Sequence, residues 1–404
     1  MNVNESIPIT PPADNSKPSR TPIGEILVDN KVIKTLYKED VTVKNNTYTF
    51  TADKIGKSAN LWLDSGFYND LAEDYPNRII KFNWDKGTYT LPLNCDEVLK
   101  EIDSSAKKVN ILIEKIDDKE IIEAAKDSAE KMGAEIISEL IDFSVYIEKS
   151  KGNTDIESLD FYAVRTINEL DEISESISTA MKFVENKEAL TFAPSVFDDD
   201  FVTIKYRGNG IFTVIENPQT FNDISSHWAK VNIEKLATRN IAFGRENNSY
   251  APNDFITRAE FAVMITRALG ITEEEGSNDF SDVSDEWFAE DISTAFESGL
   301  INGRNDGKFY PNEKIQRKDM AVMIQNALEF AGMTFDVSSA DSVLSMFKDS
   351  TSIADYARES TAFCANAGII MGRDTKNFDP DQNATRAEAS AIIERMLRYL
   401  DFMN

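Results

Sequence analysis

Histidine is almost missing from this chain: His227 is the single one in 404 residues. A Ser-His-Asp triad, a Cys-His pair or a histidine-ligated metal centre therefore has no imidazole to use anywhere outside that position. Cysteine is nearly as scarce, and Cys95 and Cys364 lie too far apart in the chain to read as a disulfide framework or a metal set. No apolar run reaches the roughly 18 residues of a membrane span. No charged segment followed by an apolar core opens the chain, so a signal peptide is expected to be absent from this sequence, which reads as a mature form or as the C-terminal piece of a longer secreted precursor. Positive charge is also short. Against 70 acidic residues stand 43 basic ones, a net charge of −27, which argues against nucleic acid as a partner and against holding an anionic polymer by a broad basic field. No glycine-rich phosphate loop appears at a strand-to-helix junction, and neither a cofactor nor a metal is expected.

What the chain does have is one residue frame written three times. Phe221, Trp228, Gly244, Pro252 and Arg258 are spaced 7, 16, 8 and 6 apart, and Phe280, Trp287, Gly303, Pro311 and Arg317 repeat that spacing. The third copy runs Phe347, Tyr356, Gly372, Pro380, Arg386, with two extra residues after its Phe. A fixed internal period marks a supersecondary unit that cannot bury its own apolar face, and three units are about the minimum for a shared core. Within a copy, Trp228, Ile233, Leu236 and Ala237 and then Phe261, Ile265, Ala268 and Leu269 recur at helical spacing, so each unit reads helix, loop, helix. Tyr250, Phe309 and Phe378 are natural plugs beneath the connecting turn.

The second helix of each copy opens on a cation. Thr257 with Glu260 and Thr385 with Glu388 have capping-box spacing, and Arg258 and Arg386 follow the cap directly. A positive charge in the first turn opposes the helix macrodipole by about 0.3–1 kcal/mol, and Arg317 repeats the penalty in the middle copy, between Gln316 and Lys318 with only Asp319 to close the box. Such an arginine either reaches back to a neighbouring carboxylate or carbonyl, or binds an anion; three recurrences favour the anion. The intact caps rank Arg258 and Arg386 above Arg317 as anion sites. Trp228, Trp287 and Tyr356 open apolar stripes, so core packing is the stronger reading and stacking on a ligand the weaker. Gly244, Gly303 and Gly372 fit helix C-caps needing positive φ, with close ligand approach as an addition.

At these residues, and through the openings Phe221-Asn222-Asp223-Ile224 and Phe280-Ser281-Asp282-Val283, the chain resembles the S-layer homology repeats of bacterial surface proteins over about 216–404, with repeats near 221–271, 280–330 and 347–398. The middle copy departs in its cap, and the third carries Tyr356 for Trp. The resemblance implies an all-α, pseudo-threefold module that anchors a protein non-covalently to secondary cell-wall polysaccharide, often through a sugar bearing a pyruvate ketal. It implies an extracellular location in the cell wall or S-layer. It makes Arg258, Arg317 and Arg386 the carboxylate partners and Gly244, Gly303 and Gly372 groove-wall positions. Other surface-layer proteins are candidate partners.

The fold class that follows is α+β and multidomain. Residues 1–22, rich in proline, read as a flexible lead, and 23–215 as a β-rich domain, with a division into two units near 75 left open. Strands are expected at 79–84, 88–93, 109–116, 141–147, 161–167, 201–206 and 211–215, the last two joined as a tight hairpin by Arg207-Gly208-Asn209-Gly210. Helices are expected near 95–102 and 119–131. This region loosely resembles the β-rich segment that precedes such repeats, which brings no activity with it. An enzyme is not expected; the alternative is a wall-anchored carbohydrate-active enzyme, marked by a cleft with two carboxylates roughly 5–9.5 Å apart in the N-terminal region or lying upstream. His227 reads as locally structural. Asp198-Asp199-Asp200 reads as a solvated turn ahead of a weak calcium site.

Overall fold

The computed structural model describes residues 21–170, 173–272, 280–284, 286–334, 340–373 and 376–404. All but the last two residues of the lead at 1–22 lie outside that range. All seven expected strands form, because their apolar residues alternate: Ile141–Lys149 and Phe201–Gly208 bury every second side chain along most of their length. The helices Asp96–Glu101 and Lys119–Met132 also form, the second capped by Asp118 and ended by Gly133 at φ 74°.

Two sheets result. In the larger one, Ala106–Lys115 is central between Ser58–Asp64 and Ile141–Lys149; in the smaller, Ser158–Asn168 lies between Gly87–Pro92 and Phe201–Gly208. The apolar core between them draws on Ile26, Phe50, Phe82, Tyr89, Ile111, Phe143 and Ile204, all buried. The stretch before residue 75 is not a unit of its own. Gly24–Val28 pairs Ser58–Asp64 in the larger sheet, while Thr47–Thr51 runs parallel to Ile79–Trp84 in the smaller.

The expected hairpin at Arg207–Gly210 does not exist. Phe201–Gly208 pairs Ser158–Asn168, whereas Gly210–Glu216 pairs Ser178–Val184 and Ile141–Lys149, so the chain crosses from one sheet to the other at Asn209. The reason is a buried polar knot: Asn209 accepts from Tyr89 Oη at 2.6 Å and from Arg165 at 2.9 Å and donates to the Ile156 carbonyl at 2.6 Å. Arg165, fully buried, also donates to the Tyr206 and Gly208 carbonyls. A corner held this way satisfies backbone groups that a hairpin would have paired in one sheet.

From Lys230 the described elements are helices joined by loops and isolated bridges. Lys230–Thr238 and Arg258–Ala268 belong to the first copy, Ala289–Glu297 and Arg317–Phe330 to the second, and Asp355–Asn366 and Arg386–Tyr399 to the third. The copies are linked in a circuit: Ile315 N–H donates to Ile256, Ala384 to Ile315 and Ile256 to Ala384, each at 3.0–3.1 Å. One continuous apolar cluster runs through all three.

The β-rich region is packed on this circuit. Tyr162 meets the Phe402 ring at 4.6 Å and donates to the Leu269 carbonyl at 2.9 Å, and Arg207 donates to the Phe330 carbonyl at 3.0 Å. Gly270, at φ +65°, leaves no room for a Cβ, which would lie 2.7 Å from Pro194.

Candidate functional site: grooves between the repeats

Each copy first builds a rigid loop. Asp223 accepts from the Tyr250 and Ala251 N–H groups, Asp282 from Phe309 and Tyr310, and Asp349 from Phe378 and Asp379, all at 2.7–2.9 Å. The second residue of each pair is left-handed, at φ 55° for Ala251, 60° for Tyr310 and 59° for Asp379. That conformation is unfavourable for side chains with a Cβ, and two charge-assisted bonds to one carboxylate hold it. The Phe-x-Asp opening carries this signal in the sequence.

Onto that loop reaches the arginine of the preceding copy. Arg258 donates Nε to the Phe309 carbonyl, Arg317 to Phe378 and Arg386 to Tyr250, at 2.9–3.0 Å. Their Nη2 atoms donate to the carbonyls of Asn302, Met371 and Phe243, and each guanidinium stacks on the plug ring at 4.6–5.0 Å. All three arginines are buried, and burial pushes the pKa of Arg258 and Arg317 down. The carbonyl-seeking alternative is therefore realised. What remains is Nη1, turned toward the carboxylate of the next copy's cap: Glu260 at 2.9 Å from Arg386 and Glu388 at 3.8 Å from Arg317.

The capping boxes form as the spacing predicts at Thr257/Glu260 and Thr385/Glu388, and Gln316 makes no side-chain cap bond. Burial works to raise the Glu388 carboxyl, yet Arg373, the Thr385 N–H and Arg317 outweigh it and hold it below the ordinary glutamate value.

Two hollows open along these pairs. One, of about 340 Å³, is lined by Arg386, Arg245, Arg267, Glu260, Gly244 and Trp287; the other, of about 310 Å³, by Arg317, Arg373, Arg395, Glu388, Gly372 and Trp228. Each thus draws on all three copies and sets three arginines against one glutamate. The aromatics are not core residues: Trp228 is 62 % exposed, Trp287 64 % and Tyr356 60 %; the two tryptophans precede the helices that start at Lys230 and Ala289, while Tyr356 lies in the first turn of Asp355–Asn366. At the third position the residues differ. Tyr356 donates its hydroxyl to Asp319 at 2.6 Å, Arg304 pairs with Glu313, and Asn326 takes the place of Arg267 and Arg395.

The glycines have a different reason from the one spacing suggests. Gly244 and Gly303 are not at positive φ; a Cβ would lie 2.5 Å from Phe221 and 2.4 Å from Phe280, so the absence of a side chain lets the opening phenylalanine pass beneath the groove wall. The arginines that follow them, Arg245, Arg304 and Arg373, were legible in the sequence as a Gly-Arg pair in every copy.

Other positions stay outside the grooves. His227 accepts the Ala229 N–H at 3.2 Å and meets Asn253, a local role. Both thiols are free and buried, and burial pushes Cys95 up to about 12. Asp198, Asp199 and Asp200 form an exposed turn. In the β-rich region Glu139 and Glu169 line a hollow of about 370 Å³, with Lys86 between them at 3.5 and 2.6 Å. Burial works to raise Glu139, but Lys115 and Lys86 hold it below its ordinary value, the opposite of what a proton-donating carboxyl requires. Among the described residues no helix is long and apolar enough to cross a membrane.

Three helical repeats, linked by backbone bonds and each carrying a buried arginine at the start of its second helix, define a repeat module. The S-layer homology domain matches residues 220–262, 279–321 and 347–390, so the chain carries three such domains. Similar sequences include an amylopullulanase of Thermoanaerobacterium thermosulfurigenes, 42% identical over 46% of this chain and 10% of that protein, and an exoglucanase of Acetivibrio thermocellus, 40% identical over 46% and 17%. A surface-layer protein of Lysinibacillus sphaericus is 28% identical over 45% of the chain and 15% of its own length. The chain thus spans only a small part of these relatives. S-layer homology domains imply anchoring at the cell wall and a cell-surface, extracellular location.

Proposed function

We propose that residues 216–404 form an all-α, pseudo-threefold module that attaches the chain non-covalently to secondary cell-wall polysaccharide by binding a pyruvylated terminal sugar. The observation that carries this reading is local charge. In a chain of net charge −27, two hollows each gather three arginines against one glutamate beside an exposed tryptophan. A planar carboxylate suits guanidinium groups, and an exposed indole suits the face of a sugar ring. The three-way circuit of backbone bonds supports the pseudo-threefold arrangement.

The groove of Arg258 is the poor one. Its cap carboxylate is held by Tyr356, and its third arginine is Asn326. Binding therefore takes place at the grooves of Arg386 and Arg317. Calorimetric titration of the full chain with a pyruvylated methyl hexoside should give two sites, and Arg245→Ala or Arg395→Ala should weaken one of them about tenfold. Retention by purified walls should be lost once the ketals are removed chemically; unchanged retention counts against the ligand.

The β-rich region serves display or spacing and is not an enzyme. In the Glu139/Glu169 hollow of the β-rich region the lysines oppose acid catalysis. Release of reducing sugar from wall glycan by the chain would overturn this.

A further inference from the structure

The hollow of Arg386 does not end within the repeats. Phe243 and Arg267 line it on one side and on the other line a second hollow of about 270 Å³ whose far wall is the β-rich region, through Lys187, Thr191 and the strand Ala189–Phe192. The two cavities are of similar size and meet at Phe243, whose ring is 45 % exposed with the Arg267 guanidinium stacked at 4.8 Å. An exposed aromatic ring flanked by amide, hydroxyl and charged groups has the chemistry of a sugar subsite. Asn240 supplies the amide, and among the described residues its side chain makes no hydrogen bond. Asp291 and Arg267 supply a fixed pair at 2.9 Å, and Thr191 and Thr272 supply hydroxyls.

Among the described residues the equivalent groove is not continued in this way. The hollow of Arg317 is lined only by residues from 228 onward, with Met371 where Phe243 stands and Arg395 donating to the Ile369 carbonyl instead of facing a carboxylate. The difference arises from docking: the β-rich region is held against the end of the first repeat by Tyr162, Gly270 and Tyr206, the last meeting Thr272 at 3.3 Å.

We infer that this junction hollow is a second glycan subsite, taking the sugar residue next to the pyruvylated one, so that the β-rich region takes part in wall recognition at one groove only. The inference rests on the reading of the Arg386 groove given above. Its ligand is a neutral or amide-bearing sugar, because Asn240 and the threonines offer hydrogen bonds while the one carboxylate present, Asp291, is already paired.

The test is titration of the full chain with two probes, a pyruvylated methyl hexoside and the disaccharide that carries the same pyruvylated sugar at its non-reducing end. The disaccharide should bind one of two sites about tenfold more tightly than the monosaccharide. Asn240→Gly, which suits the backbone at φ 57°, and Thr191→Trp, which fills the hollow, should each remove that gain and leave monosaccharide binding unchanged. Equal affinity of the two probes for the unmodified chain overturns the subsite while sparing the groove, as does a gain that survives both substitutions. Binding of neither probe overturns the groove reading and the subsite with it.

Discussion

Gly244 shows how one missing methyl group shapes a groove. The Phe221 ring lies where its Cβ would be, at 2.5 Å, and neighbouring backbone at Ser249 prevents an easy shift. Overpacking of this kind costs about 1–3 kcal/mol, so Gly244→Ala should lower the melting temperature by several degrees in a thermal scan, and Gly303→Ala should do the same. Tyr356 is the residue that sets the third position apart. Burial, then the bond to Asp319, push its hydroxyl pKa well up, so the bond persists at every physiological pH. Replacing the three deviant residues together, Tyr356→Trp with Asp319→Glu and Asn326→Arg, should raise the number of pyruvylated-sugar sites from two to three. A count that stays at two would mean that backbone, not these side chains, closes the groove.

At the scale of the element, the loops and caps depend on carboxylates whose protonation is measurable. Burial opposes the ionised form of both Asp223 and Glu388, yet hydrogen bonds from Ser249, Tyr250 and Ala251 in one case, and from Arg373 and Thr385 in the other, hold their pKa values below the ordinary ones. A depressed carboxyl contributes stability that is complete above its unfolded value, about 3.9 for Asp and 4.3 for Glu, and is lost as pH falls through the lower folded value. Melting temperature should therefore be level above about pH 5 and decline below about pH 4. Asp223→Asn should lower it at neutral pH and flatten the acid limb. The repeat is also not a folding unit. Each arginine spends its bonds on the following copy and each hollow draws on all three, so a fragment covering 280–334 should be unfolded by circular dichroism, while 216–404 melts cooperatively.

For the whole molecule the junction is decisive. Phe402 is buried against Tyr162, and Asn404 both accepts from and donates to the Phe197 backbone at 2.8–2.9 Å, tying the end of the last repeat to the edge of the smaller sheet. The chain should consequently unfold in one calorimetric transition. Phe402→Ala, which removes an aromatic worth about 3–5 kcal/mol, should split it into two. A single unshifted transition in that variant would show that the two regions are coupled elsewhere.

The repeat frame, the capping boxes, the seven strands and the recurrence of an arginine at the start of each second helix were legible in the sequence, because spacing, alternation and cap chemistry are local. The surroundings of Arg258 were not. Its cap spacing concerns its own helix, whereas the guanidinium faces Asp319 and Tyr356 of other copies, and no spacing within a copy reveals those partners. The exposure of Trp228 and Trp287, the sheet-crossing corner at Asn209 and the hollow beside Phe243 likewise arise where segments far apart in the chain meet. They were decided by packing, since which face of a residue is covered depends on what the rest of the molecule brings against it.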